Sequence, residues 1–498
     1  MPSPALSRPQ IVALALLTGV AGVLRFAWLT AEGLWYDEVF SAFVAAHDVP
    51  GLLWLAIDDQ TNPPAFYLML WVWTRLGSFG DAWLRTLPAI LGTLTPATAA
   101  IAGHRAGLSW RAALLGGVIV AGSPLLLAMS VEVRAYAAVA LLATAALAVT
   151  ASIARSPEST AVADDTPSPD ALPRNPVAHR SRRSAVAALT LLNVALASLH
   201  VFGLVAVLSN TVAGTLAGPL RRDALLKRAR PLVLAAIPAV VVLGAWLVLV
   251  QTLATDGRFA GNAAWVPAPT ARSIGPFVAL ALADFGSSAF AWLMTAAVLA
   301  VVAMGLARAC SAKTADAPVA RFFMTAALLP PLAVAALYLI SGRSLWLPRY
   351  LVATVPPLAL LIALVISRLR APWRSGAVAF VVAWVLLGGV HSVHNRLQKP
   401  DWASVVRRLS AGEPTTLCVL EGYVGLPLRH YAVQHALPVS VIDMERCTPD
   451  QANAWAVYRP EFESVVRRQL PDAVLGPELE LTSGLTTTVA RRVLWPDT

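Results

Sequence analysis

Long apolar stretches separated by short polar breaks fill the chain up to about residue 395, after which the pattern changes. A bilayer core about 30 Å thick needs about 20 apolar residues to be crossed by one helix. Stretches of that kind lie at 11–30, 84–104, 112–130, 135–154, 184–199, 202–218, 231–251, 288–307, 322–340, 351–367 and 376–394, which predicts eleven spanning helices. The run 185–218 is a single apolar block flanked by basic clusters, so it predicts a hairpin that turns near His200 with two short limbs. Residues 62–76 are apolar but short, ring-rich and opened by Pro63-Pro64. They predict a helix lying in the outer interface rather than another span. Beyond 396 the spacing becomes that of a water-soluble fold: an amphipathic helix at Trp402–Ser410, a strand at Thr415–Glu421, a helix at Gly425–His435 and a strand at Pro438–Asp443. The expected architecture is an all-α polytopic membrane domain over 1–395 and a small α/β domain over 396–498.

Composition agrees with that reading. The 498 residues are 57% hydrophobic and only 13% charged, about half the charged share of a soluble domain. The net charge of +10 does not point to nucleic acid, because the basic residues sit in short loops between apolar stretches. With the N-terminus placed in the cytoplasm, the inner loops carry Arg and Lys over the outer loops by about three to one, and the C-terminal domain falls outside. The expected location is a multi-pass protein of the cell's inner membrane. Segment 11–30 is too long for a signal-peptide core and no small-residue cleavage site follows it, so it is expected to stay as a helix. Residues 155–184, rich in Pro, Ser, Asp and Arg, read as a disordered cytoplasmic loop. Residues 253–287, with Asp256, Arg258, Trp265 and Pro267, form a larger outer loop. Cys418 and Cys447 can pair if the tail is exported, and no Cys/His metal cluster exists in the sequence.

The chemistry gathers on one side. Directly after the first apolar stretch comes Trp35-Tyr36-Asp37-Glu38, two adjacent carboxylates among rings at a membrane surface. Acids in such a place are costly unless they serve a function. By the same topology Asp58, Asp59, Asn62, Glu132, Arg134, His200, Arg343, Arg349 and Tyr350 also face outward. Asp58 and Asp59 are expected to be solvated, and Arg25 and Arg85 to snorkel to the interface. A carboxylate can take the proton of an attacking hydroxyl, and guanidinium forks hold and neutralise a departing phosphate. That residue set suits transfer of a glycosyl group from a lipid phosphate. A transporter or flippase of lipid-linked sugars is the alternative. It calls for polar groups at mid-membrane and internal repeats, whereas the helix centres here are nearly all Ala, Leu and Val.

Several short motifs occur in the order in which a known group carries them. Trp35-Tyr36-Asp37-Glu38 resembles the first-loop acidic motif of family-39-like glycosyltransferases of the GT-C fold, a group that includes protein O-mannosyltransferases and the aminoarabinose transferase of lipid A. Asn62-Pro63-Pro64-Ala65-Phe66-Tyr67 is similar to their His/Lys-Pro-Pro-x-x-Tyr segment. Glu132-Val133-Arg134-Ala135-Tyr136 resembles Glu-Ala-Arg-x-Tyr, and Leu199-His200-Val201-Phe202-Gly203 resembles Thr-His-Tyr-x-Gly. Pro348-Arg349-Tyr350-Leu351 and Lys399-Pro400-Asp401-Trp402 also fit the pattern. The resemblance implies a polyprenyl-phosphate sugar donor, an inverting single displacement, and a lipid, glycan or protein acceptor. It implies Asp37 as base, with Glu38 and Glu132 as its acidic partners. It maps Arg134, Arg349 and Tyr350 near the lipid phosphate and sugar pocket, and Asn62, Tyr67, Tyr136, His200 and Arg343 are the further residues expected to contact substrate. Some relatives hold a divalent ion near the acids, but no pattern in this chain demands one, and Asn62 stands where His or Lys is usual.

Overall fold

A computed structural model describes residues 6–27, 29–30, 32–156, 176–253, 266, 268–282, 288–311, 314–394, 399–420, 422–451, 453–482 and 488–495. Most of the proposed cytoplasmic loop, and Asp256, Arg258, Trp265 and Pro267 of the outer loop, lie outside the described residues. The chain divides into two compact units. One comprises Met1–Ala27, Asp48–Met69 and Thr86–Val393; the other comprises Trp28–His47, Leu70–Arg85 and His394–Thr498.

In the first unit a helix occupies each of the eleven apolar stretches. Among the described residues eight helices are long and apolar enough to cross a membrane, and Trp110–Gly122, Gly203–Leu216 and Ala271–Leu282 are shorter apolar helices. Their surfaces carry large bare side chains, among them Leu16, Leu191, Leu339 and Ile340. That is the pattern expected when the solvent is lipid rather than water. At the other extreme, Val355–Ser367 is buried along nearly its whole length and packs on Trp110–Gly122 and Ala317–Ser341. Stripes of Ala and Gly allow this close packing; a Cβ on Gly116 would press on Leu360. Buried amides join helices as well. Asn193 donates to the Ala235 carbonyl at 3.0 Å and Asn210 to that of Ala143 at 3.1 Å. Each of these bonds ties one helix to its neighbour.

Four details depart from the sequence reading. Residues 176–184, read as part of the disordered loop, begin the Pro176–Leu199 helix. The stretch 112–130 is broken at Ser123, whose hydroxyl donates to the Ala281 carbonyl at 2.6 Å, and Pro124 opens a separate short helix, Pro124–Met129. A helix not foreseen, Val49–Asp59, is capped by Asp48, which accepts from the Gly51 N–H at 3.0 Å. A further helix, Ala271–Leu282, lies within the stretch read as loop. The hairpin forms where expected. Pro176–Leu199 ends at His200, the Gly203 N–H returns to the His200 carbonyl at 2.8 Å, and Gly203–Leu216 runs back. Glycine is required at 203 because a Cβ there would collide with the Leu196 carbonyl oxygen.

The second unit contains a five-stranded mixed sheet of order β2-β1-β3-β5-β4. β1 (Thr415–Val419) pairs in parallel with β2 (Val439–Asp443) and with β3 (Ala454–Tyr458). β5 (Thr488–Leu494) pairs antiparallel with β3 and with β4 (Val474–Thr482). The helices Trp402–Ser410 and Gly422–Gln434 accompany the first two strands much as the spacing predicts, whereas β3, β4 and β5 were not foreseen. Cys418 on β1 is joined to Cys447 by a disulfide within the core of this unit. The Tyr36–Ala46 helix, which carries the adjacent acids, packs on the Gly422–Gln434 helix of the same unit.

Candidate functional site

Two groups of polar side chains stand out, one in each unit. In the sheet-containing unit the acidic motif opens the Tyr36–Ala46 helix. Glu38 lies in its first turn and its Oε2 accepts from the Trp35 N–H at 3.2 Å, so the carboxylate caps the helix that it belongs to. The side chain is wholly buried. Arg85 donates to it twice, from Nε and from Nη2, each at 2.9 Å, and Lys399 Nζ donates at 2.9 Å. Arg85 also donates to the carbonyls of Leu29, Glu32 and Gly33, drawing the preceding loop around its guanidinium. Burial alone raises the Glu38 pKa, but the adjacent Arg85 and Lys399 charges and their hydrogen bonds outweigh it and hold the carboxyl down to about 2. Asp37, half-buried, lies one residue earlier, and its carbonyl accepts from the Ser41 hydroxyl at 2.9 Å.

In the helical unit the hub is Asp59. It accepts from Asn62 Nδ2 at 2.7 Å, from the Thr61 hydroxyl at 3.1 Å and from the Tyr67 phenol. Arg134 donates to Tyr67 at 3.1 Å and pairs with Asp59 at 3.7 Å. Glu132 and Arg134 are both buried in the turn between the Pro124–Met129 and Tyr136–Ala154 helices, and the Arg134 N–H meets the Glu132 carbonyl at 2.7 Å. The Val201 N–H donates to the Thr61 carbonyl at 3.3 Å, which joins this network to the hairpin tip. There His200 lies among Tyr136 at 5.5 Å, Tyr350 at 5.4 Å and Phe202 at 5.6 Å, with Phe202 stacked on Tyr350 at 4.5 Å. Arg349 stands 6.0 Å from the Tyr136 ring and 5.8 Å from that of Tyr350. Burial, reinforced by the Arg134 and Arg349 charges, pushes the His200 pKa down to about 3. The ring is therefore neutral. Its Nδ1 lies 3.1 Å from the Phe202 N–H and accepts from it, which assigns the proton to Nε2. Ring faces of this kind can stack on a sugar, and guanidinium groups can hold an anion.

Among solved structures the chain is similar to ArnT from Cupriavidus metallidurans in the apo state, with TM-score 0.58 and 17% identity over 96% of this chain and 97% of that one. The same protein bound to undecaprenyl phosphate gives TM-score 0.59 and 16% identity over 97% and 98%. This chain has the GT-C fold. Another GT-C structure, the Archaeoglobus fulgidus oligosaccharyltransferase tethered with an acceptor peptide, matches with TM-score 0.51 and 11% identity over 96% of this chain and 73% of that one. No family model matches the chain, and no curated protein sequence does.

On this GT-C scaffold most of the residues singled out from the sequence fall into the two groups. Asn62, Tyr67, Glu132, Arg134, Tyr136, His200, Arg349 and Tyr350 belong to the helical unit, and Asp37 and Glu38 to the other. Arg343 does not join its group. It is exposed just past Gly342, and its N–H turns back to the Ser341 hydroxyl at 3.2 Å. Three expectations are corrected by packing. Arg25 does not snorkel but is wholly buried, donating to the Ser130 hydroxyl at 3.1 Å and to the Ala21 and Ala121 carbonyls at 3.0 and 3.3 Å. Asp59 is not solvated but is the acceptor at the centre of a network. Arg85 does not snorkel but is 2% exposed, its fork filled by Glu38 and three carbonyls. The sequence signal for Arg85 was a charge inside an apolar stretch, which favours a paired group over an idle one. Nothing in the local sequence singled out Phe202, Asp81 or Tyr431.

Among the described residues no three His, Cys, Asp or Glu side chains come together as metal ligands. Glu38 is committed to Arg85 and Lys399, so the acidic motif does not fit the divalent ion that the resemblance allowed.

Proposed function

We propose that this protein is a membrane glycosyltransferase that moves a sugar from a polyprenyl-phosphate carrier to a hydroxyl or amine of a lipid, glycan or protein acceptor on the extracytoplasmic face. The observation that carries this reading is the gathering of the buried Tyr136 and His200 rings and the half-buried Tyr350 ring on a GT-C scaffold, with Arg349 beside both tyrosines and the Arg134 charge close enough to act on His200. The rings offer faces to a sugar, and the two cations offer charge to the phosphate that leaves it. In the reaction the acceptor oxygen or nitrogen attacks the anomeric carbon. The bond from that carbon to the phosphate oxygen breaks, and its electron pair departs with the carrier. Inversion follows from a single displacement. Asp37 takes the acceptor's proton, Glu132 orients the sugar, and Asn62 and Tyr67 contact the substrate. Glu38, locked between two cations, holds the motif in shape rather than exchanging a proton. Exposed Arg343 contacts the carrier or the membrane lipid around it.

The excess of Arg and Lys in the loops assigned to the cytoplasm, and the disulfide in the C-terminal domain, support the extracytoplasmic placement of that domain. A panel of polyprenyl-phosphate sugars, incubated with the purified protein and a crude acceptor fraction, tests the reading. Release of free polyprenyl phosphate from at least one donor is expected. Movement of donors across vesicles with no carrier released would replace the transferase with a flippase.

A further inference from the structure

The Gly422–Gln434 helix of the C-terminal domain reaches the acidic motif through one side chain. Tyr431 is buried, and its hydroxyl accepts from the Leu34 N–H at 2.5 Å and donates to Asp81 Oδ2 at 2.7 Å. Gln434, one turn on, donates to the other Asp81 oxygen at 3.1 Å. Asp81 opens the helix that carries Arg85 one turn later, and Arg85 grips Glu38. One phenol therefore ties the turn before Trp35 to the helix that holds Glu38. The fit is close: a Cβ on Gly33 would stand 3.0 Å from the Tyr431 oxygen. Burial and the neighbouring Asp81 push the phenol's pKa up, so it keeps the proton that it donates. Lys399, from the same C-terminal part of the chain, makes a second fastening on Glu38. All of these contacts lie within one compact unit.

We propose that Tyr431 is a positioning residue for the acidic motif. Its hydroxyl fixes the turn at Leu34, so that Asp37 is presented in one orientation, and the C-terminal domain thereby sets the rate of transfer without touching the sugar. The catalytic part of this inference rests on the transferase reading above; the mechanical part does not. A residue that acts by positioning lowers turnover and leaves donor binding in place.

The test uses the full-length protein and Tyr431→Phe, which keeps the ring and removes only the hydroxyl. Amide hydrogen exchange read by mass spectrometry reports on the mechanics. At least tenfold faster exchange over 32–41 is expected, with β1 (415–419) unchanged. Carrier release reports on the catalysis, where kcat is expected to fall about tenfold with KM for the lipid donor unchanged. Asp81→Ala, which removes the acceptor that orients the phenol, is expected to reproduce both effects. Unchanged exchange over 32–41, or acceleration spread through the whole sheet, would overturn the positioning role whether or not any donor is turned over. Faster exchange over 32–41 with an unaltered kcat would overturn its catalytic part alone. Failure of the wild type on every donor would instead count against the transferase reading.

Discussion

Replacing Arg85 with Met removes one side of a buried ion pair and should be among the most damaging single changes outside the apolar core. The loss can be sized in two ways. Glu38, wholly buried, has its pKa lowered from 4.5 to about 2, in spite of burial, by Arg85 and Lys399. A gap of about 2.5 pH units, at about 1.4 kcal/mol each, makes the ionised carboxylate worth about 3 kcal/mol to the fold. Breaking a buried pair from one side costs about 3–5 kcal/mol. Arg85→Met also leaves the Leu29, Glu32 and Gly33 carbonyls without their common donor, so the upper end of that range is expected. The sign with pH follows from the lowered pKa. The wild-type contribution is complete above pH 4.5 and is lost as pH falls towards 2, so the gap between variant and wild type should narrow over that window. Thermal unfolding of the detergent-purified proteins measures it. The double variant Arg85→Met/Glu38→Gln should regain much of the loss, because the only charge then left without its partner, Lys399, is partly exposed. A single variant as stable as wild type, or a double variant no better than the single one, would refute the reasoning.

Two further changes probe the helical unit. His200 is held neutral in the fold with its pKa lowered to about 3, so its contribution to stability is complete above pH 6.5 and is lost as pH falls towards 3. His200→Phe should flatten the pH dependence of unfolding between pH 6.5 and 4.5, above the range where Glu38 acts, and an unaltered profile would count against the buried neutral ring. Gly203→Ala forces a methyl group against the Leu196 carbonyl and should cost about 1–3 kcal/mol or more, read as a lower melting temperature with the hairpin tip opened to protease. A variant that melts like wild type would show that the turn can yield.

Much of the helical part was legible because membrane helices announce themselves by length: each of the eleven apolar stretches is helical. The breaks inside them were less so. The interruption at Ser123 depends on a partner, the Ala281 carbonyl, that lies 158 residues away. In the C-terminal domain the first strands and helices follow local periodicity. β3, β4 and β5 draw their definition from pairing across the sheet, which one sequence does not display. The site shows the same division. Asp37, Glu38, Glu132, Arg134, His200 and Arg349 could be picked out because charge next to apolar sequence is costly. Asp59 reads as solvated beside a second acid, Asp58, and only the approach of Tyr67 and Arg134 makes it a hub. Tyr431 lies 397 residues from Leu34, and no spacing along the chain points from one to the other.

The most direct measurement is carrier release from a labelled polyprenyl-phosphate sugar by reconstituted wild-type protein and by Asp37→Asn, a change that keeps shape and removes the basic oxygen. Donor binding should persist in the variant while turnover falls by about 10²–10⁴-fold, the share a positioned general base supplies. Turnover by Asp37→Asn at the wild-type rate would contradict the assignment of Asp37 as the base.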